Sequence, residues 1–197
     1  FDAAEGFRSA DGGQSWVAFT LPAITRDLLI PAHSPQHIYA ATFSGVMVSS
    51  NGGQNWASAG ILTAASSLAA DPTNPNVLYA GVYMTGLWRT TNQGGLWKNV
   101  HGDARSGDVE AIAVDPTSPN TILIGGNEGL VRSTTAGTSW ASANSGIQAM
   151  RVEKFAAATG SNRIYMQTNG SGIFVLESGA SRATAVNTSG LSALSGS

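Results

Sequence analysis

Cysteine is absent from the 197 residues, which excludes disulfides and thiolate metal sites but does not by itself identify a compartment. Charge is sparse. Charged residues make up 11%, the net charge is −2, and lysine occurs only at Lys98 and Lys154. This leaves no basic footprint for nucleic acid and no polybasic patch for a membrane surface. No run of roughly eighteen apolar residues is present, so no helical membrane span is expected. No segment favours a helix. The chain opens at Phe1 without methionine or signal peptide and reads as a processed or truncated piece.

What is plentiful is turn chemistry. Twenty-four glycines, with many Ser, Thr and Asn, suit an all-β protein with tight turns. The same composition fits a secreted bacterial protein, extracellular or periplasmic. Residues 1–188 read as one domain, and the small, polar tail 189–197 is expected to fray.

One short hairpin recurs four times: Ser9-Ala-Asp11-Gly-Gly13-Gln-Ser-Trp16, Ser49-Ser-Asn51-Gly-Gly53-Gln-Asn-Trp56, Thr90-Thr-Asn92-Gln-Gly94-Gly-Leu-Trp97 and Ser133-Thr-Thr135-Ala-Gly137-Thr-Ser-Trp140. A worn fifth copy spans Val175, Glu177, Gly179 and Arg182. The spacings are 40, 41, 43 and 42 residues, a period that signals a propeller or solenoid. Around the fourth hairpin, Val109–Val114 alternates, Asp115-Pro-Thr-Ser-Pro-Asn120 breaks the chain, and short runs at 121–124, 130–133 and 139–142 follow. That is a four-stranded antiparallel blade, with strands A to D in order. Repeats fall at about 1–20, 24–60, 65–101, 108–145 and 150–187. The first supplies only C and D, so the predicted fold is an all-β propeller of four complete blades and an N-terminal half blade, alone or within a larger ring. The half blade is also a candidate surface for self-association.

The hairpin resembles the Asp-box, or BNR repeat, Ser/Thr-x-Asp-x-Gly-x-x-Trp, which forms the C–D turn of propeller blades. Its residue types have a physical reading. Asp or Asn accepts backbone amides of its own turn, Gly permits positive φ, the hydroxyl ties the entry, and Trp buries its ring. Only Asp11 is charged among Asp11, Asn51, Asn92 and Thr135, so the role is structural rather than catalytic or metal-binding. The Asp-Pro-Thr-Asn-Pro-Asn turn at 71–76 together with Gly86-Leu-Trp-Arg-Thr-Thr-Asn92 looks closest to family 74 xyloglucanases and photosystem II assembly factors of the Ycf48 type.

In propellers of this kind the B–C and D–A loops share the face on which ligands sit. Here those loops carry Phe43, Tyr83, Met84 and Glu128, with Asp27 and Arg105 on D–A segments. The aromatic and apolar members suit stacking on a sugar or holding a partner, or plugging the channel mouth. Asp27, Asp103, Asp108, Glu110, Glu128 and Glu153 are the carboxylates of that face, but Glu110 and Glu153 occupy matching repeat positions. A glycosidase needs two carboxyls at a defined separation. Arg8, Arg89 and Arg132 each precede a hairpin and are expected to point outward. His33, His37 and His101 are scattered, so no metal is expected, and no cofactor motif is present. The sequence therefore reads as a non-catalytic binding or assembly module for a protein or glycan. The alternative is a glycan-processing domain or fragment.

Overall fold

The computed structural model describes residues 5–21, 23–102, 109–127, 129–147, 151–157 and 161–186. Every element among them is a strand or turn. A two-stranded sheet, blade I, pairs β1 (Glu5–Arg8) with β2 (Val17–Thr20). Four meandering four-stranded sheets follow. Blade II holds β3 (Thr25–Leu29), β4 (Ile38–Thr42), β5 (Gly45–Ser49) and β6 (Ala57–Ser58). Blade III holds β7 (Ala65–Ala70), β8 (Leu78–Val82), β9 (Gly86–Thr90) and β10 (Trp97–His101). Blade IV holds β11 (Val109–Val114), β12 (Ile122–Gly126), β13 (Gly129–Ser133) and β14 (Ala141–Ser142). Blade V holds β15 (Val152–Ala157), β16 (Arg163–Thr168), β17 (Gly172–Glu177) and β18 (Thr184–Ala185).

The A strands lie side by side, β3 against β7, β7 against β11 and β11 against β15. Strands β4, β8 and β12 are buried along their whole length, as their continuous apolar runs require when a blade is covered on both faces. Each junction has its own core. Tyr39, Val46, Leu68 and Leu78 meet between blades II and III; Tyr79, Leu87, Ile112 and Ile122 between III and IV; Leu123, Leu130, Ile164 and Phe174 between IV and V.

The repeated hairpins have the predicted backbone role. The Ser49 hydroxyl donates to Asn51 Oδ1 at 2.9 Å and accepts the Gly53 amide at 2.8 Å, while Asn51 Oδ1 accepts the Asn55 amide at 3.0 Å. Thr90, Asn92, Gly94 and Leu96 repeat this arrangement. So do Ser133, Thr135, Gly137 and Ser139, with a hydroxyl in place of the carboxamide. At Asp11 the hydroxyl and amide of Ser15, then the hydroxyl of Ser9, hold the carboxyl well below the usual range.

Two expectations about these hairpins change. The tryptophan rings are not all buried, since Trp97 is 9% exposed but Trp16 is 61% exposed, and the indoles of the later repeats reach beyond their own blade. Trp56, Trp97 and Trp140 donate their indole N–H groups to Thr20, Ala59 and Val100 of the preceding blade. Nor do the arginines simply point outward. Arg8 donates to the Gly52 carbonyl at 3.2 Å and Arg132 to the Ala180 carbonyl at 2.6 Å, each in the turn of the following blade. Tyr39 does the same through its hydroxyl, to Gln93. A hairpin turn exposes carbonyls that its own short strands cannot satisfy, and the neighbouring blade supplies the donors.

Candidate functional site

The loop face is set by the direction of the strands. A–B turns hydrogen-bond to C–D hairpins at one end, as in Gly52 to Gln36 and Gln93 to Asn76. At the other end B–C loops bond to D–A segments, with Val46 N donating to Ile61 O at 3.0 Å and Tyr83 N to Ala64 O at 2.8 Å. Each A strand begins at this second end with a β-bulge, between Thr25 and Asp27, Ala65 and Ser67, Val109 and Ala111, and Val152 and Lys154. The extra residues at these bulges are Arg26, Ser66, Glu110 and Glu153.

The carboxylates of the rim are engaged. Glu110 accepts from Arg151 Nε at 2.7 Å, and the same nitrogen lies 4.0 Å from Glu153. Glu153 also accepts from Asn169 at 3.1 Å. Asp27 is not in a D–A loop. It lies in β3 beyond the bulge, half-buried, and accepts the Leu68 amide of blade III at 2.7 Å. Burial pushes its carboxyl upward, against the Leu68 and Leu28 amides and the charge of Lys154. It ties one A strand to the next, as Ser66 and Ser67 do by donating to Val109 O. Asp103, Arg105, Asp108 and Glu128 lie outside the described residues.

Phe43, Tyr83 and Met84 are all exposed. Arg26 stacks its guanidinium 4.9 Å from the centre of the Phe43 ring. Met84 holds φ at +58°, where Gly170 sits in the corresponding three-residue loop at +79°. Between the Phe43 and Tyr83 loops runs the 59–64 connection, and it carries Leu62, 77% exposed, which the sequence reading did not select. The Ile61 carbonyl and Leu62 Cα crowd Gly45, so this leucine is fixed beside the Phe43 loop.

Next to Leu62 a cleft of about 210 Å³ follows the seam of blades II and III, lined by Leu62, Val82, Trp88, Leu96 and Trp97. Both indole N–H groups are already used, Trp88 on Thr85 at 3.0 Å and Trp97 on Ala59 at 2.6 Å. The ring faces are what the cleft offers. The signal that could have found it is Trp88, an aromatic at a strand-C position occupied by Met47 in blade II and Val131 in blade IV.

Two of the three histidines serve turns, His33 on the Pro72 carbonyl and His37 on the Ser34 hydroxyl, and His101 of β10 lies with its ring 4.7 Å from that of Trp140. Among the described residues no three His, Cys, Asp or Glu gather as a metal set, and no helix is long and apolar enough to cross a membrane.

No family model matches the chain, and no curated protein matches it. Solved structures do. An ancestral GH74 enzyme aligns with a TM-score of 0.74 at 18% identity, over 91% of this chain and 28% of that one. The GH74 xyloglucanase from Xanthomonas campestris aligns at 0.64 and 20% identity, over 94% of this chain and 32% of that one. YCF48 bound to D1 peptide aligns at 0.58 and 17% identity, over 83% of this chain and 55% of that one. The chain thus spans less than a third of either GH74 protein. At these identities the likeness shows the fold, an all-β array of four-stranded propeller blades.

Proposed function

We propose that this chain is a non-catalytic binding or assembly module of a secreted bacterial protein. Its loop face takes a protein or glycan ligand on Phe43, Leu62, Tyr83 and Met84 and on the tryptophan-lined cleft beside them. One contrast carries the reading. Every described carboxylate of that face is occupied by an arginine, an amide or a backbone N–H, whereas the large apolar side chains are exposed. Aromatic rings with satisfied polar tips suit stacking on sugar faces or packing on apolar side chains. The likeness to GH74 enzymes supports the second reading, a glycan-processing domain, which requires two carboxyls at a defined separation across the scissile bond.

The test is a glycan array, a peptide array and a hydrolase screen run on the same preparation. Saturable binding that falls at least about tenfold in the Phe43→Ala, Tyr83→Ala double variant is expected, with no turnover. Hydrolysis that survives repurification and is lost in Glu110→Gln or Glu153→Gln overturns the reading.

A further inference from the structure

Asparagine is followed by glycine at two places in the chain, Asn51-Gly52 and Asn169-Gly170. Glycine has no Cβ to shield its amide nitrogen, which can therefore approach the side-chain carbonyl carbon of the preceding residue. That approach requires the nitrogen to leave any hydrogen bond it makes and to lose its proton. The fold treats the two pairs differently. Asn51-Gly52 is held at both reacting groups. The Gly52 amide donates to the Gln36 carbonyl at 3.1 Å, and Asn51 Oδ1 accepts from the Ser49 hydroxyl and the Asn55 amide.

Asn169-Gly170 lies at the tip of the B–C loop of blade V, between β16 and β17, and both residues are exposed. Among the described residues the Gly170 amide has no acceptor and Asn169 Oδ1 has no donor. Gly170 sits at φ +79°, and no atom lies within 4 Å of the place a Cβ would take. Asn169 itself is anchored. Its backbone amide donates to the Arg151 carbonyl at 3.1 Å, and its Nδ2 donates to Glu153 Oε1 at 3.1 Å. The matching tip of blade III, Tyr83-Met84, is exposed with a blade on either side. Exposure therefore belongs to the loop, wherever its blade stands in the array.

We propose that Asn169-Gly170 is a self-modifying site, converting to aspartate and isoaspartate while the fold preserves Asn51-Gly52. The Gly170 nitrogen gives up its proton and bonds to Asn169 Cγ, closing a five-membered imide. The Cγ–Nδ2 bond breaks, and the departing nitrogen takes up that proton and leaves as ammonia. Water then opens the ring. Cleavage of the new N–Cγ bond leaves aspartate. Cleavage at the original main-chain carbonyl carbon leaves isoaspartate, with the chain routed through the side-chain carbon. Nothing is oxidised or reduced, and water is the only co-reactant. Either product carries a carboxylate in place of the carboxamide that donates to Glu153, so a hydrogen bond becomes a like-charge contact. The rim beside Arg151 gains one negative charge, and isoaspartate lengthens the main chain ahead of β17. Blade V thus holds a slow, irreversible switch in the charge and shape of one B–C loop.

The modification does not depend on what the loop face binds. The test incubates the whole chain in mildly alkaline buffer, folded and in urea, and follows its proteolytic fragments by mass and by enzymatic methylation of isoaspartate. In the folded chain, conversion at Asn169 is expected to outrun that at Asn51 at least about tenfold, because the Gly52 amide must first leave Gln36. In urea the two rates should agree within about threefold, since only the fold distinguishes the two dipeptides. Asn169→Gln should remove the fast reaction, because its longer side chain must close a larger ring. Three results overturn the proposal: a folded-state ratio below about tenfold, a ratio that persists in urea, or fast ammonia loss that survives Asn169→Gln.

Discussion

The indole N–H of Trp97 donates to the carbonyl of Ala59, 2.6 Å away in the preceding blade. The ring itself is buried in the core between blades II and III, so one residue closes its own hairpin and fastens its neighbour. Trp97→Ala removes a buried aromatic and should cost about 3–5 kcal/mol. Trp97→Phe keeps most of the packing, orphans the carbonyl and should cost about 1 kcal/mol. Among the described residues Trp16 bonds only to Gly13 of its own turn, and it is exposed. Trp16→Ala is therefore expected to shift stability by less than about 0.5 kcal/mol. Urea unfolding of the three variants measures the difference, and equal costs for Trp16 and Trp97 would refute the clasp.

Left-handed backbone at the fourth hairpin position gives a stabilising substitution. Gly12 and Gly52 hold φ at +74° and +68°, but Gln93 and Ala136 occupy the same position at +58° and +53°. An L-residue there costs roughly 1–2 kcal/mol, partly offset by the greater freedom of glycine in the unfolded chain. Ala136 makes no side-chain bond that glycine would lose. Ala136→Gly should raise stability by about 0.5–1 kcal/mol, or on the order of 2 °C in melting temperature. A lower melting temperature would show that the methyl group packs usefully.

How much was legible follows from the range of each interaction. The bonds of Ser49, Asn51 and Gly53 close within a few residues, so a short motif reveals them. The blade count and the strand phase follow from the same periodicity. The partners of Trp97 and Arg132 lie 38 and 48 residues away in another blade, and no local pattern announces them. Gln93 and Ala136 hid a left-handed turn because they are not glycine. Glu110 and Glu153 read as a repeat feature, but Arg151 sits in a D–A segment of no fixed pattern, so nothing in the sequence announces that it bridges them. In the proposed ligand surface, Phe43, Tyr83 and Met84 follow from their place in B–C loops. Leu62 needed the crowding at Gly45 to bring it beside them.

Two aspartates should respond to pH in opposite senses. Burial pushes Asp115 upward, but the hydroxyls of Ser178 and Thr117 and the amides of Thr117 and Ser118 outweigh it, and its carboxyl lies below the ordinary range. Its stabilisation is present above the unfolded value and is lost as pH falls through the folded one. Asp27 is raised, chiefly by burial. Its contribution is present below the unfolded value and lost as pH rises through the folded one. Asp27→Asn keeps an acceptor for the Leu68 amide and removes the buried charge. Its stability relative to the parent chain should improve from about pH 3 to about pH 7. For Asp115→Asn the relative stability should fall over the same interval. Parallel trends in urea midpoints would contradict the assignment.

Met84 joins strain to the proposed ligand face. Its φ of +58° is adopted at the tip of an exposed loop, and Gly170 shows that the fold accepts glycine at the matching place. Strained backbone persists where the side chain it presents is useful. Met84→Gly should relieve the loop and raise stability by about 0.5–1 kcal/mol. It also removes a side chain that is 70% exposed beside Tyr83, so affinity for the loop-face ligand should drop about five- to tenfold. Met84→Leu keeps both the strain and the apolar contact and should leave affinity within about twofold. The decisive comparison is the melting temperature against the dissociation constant for the two variants. If Met84→Gly is more stable and binds as well as the parent chain, Met84 is no part of the ligand surface. The proposed patch would then contract to Phe43, Leu62 and Tyr83.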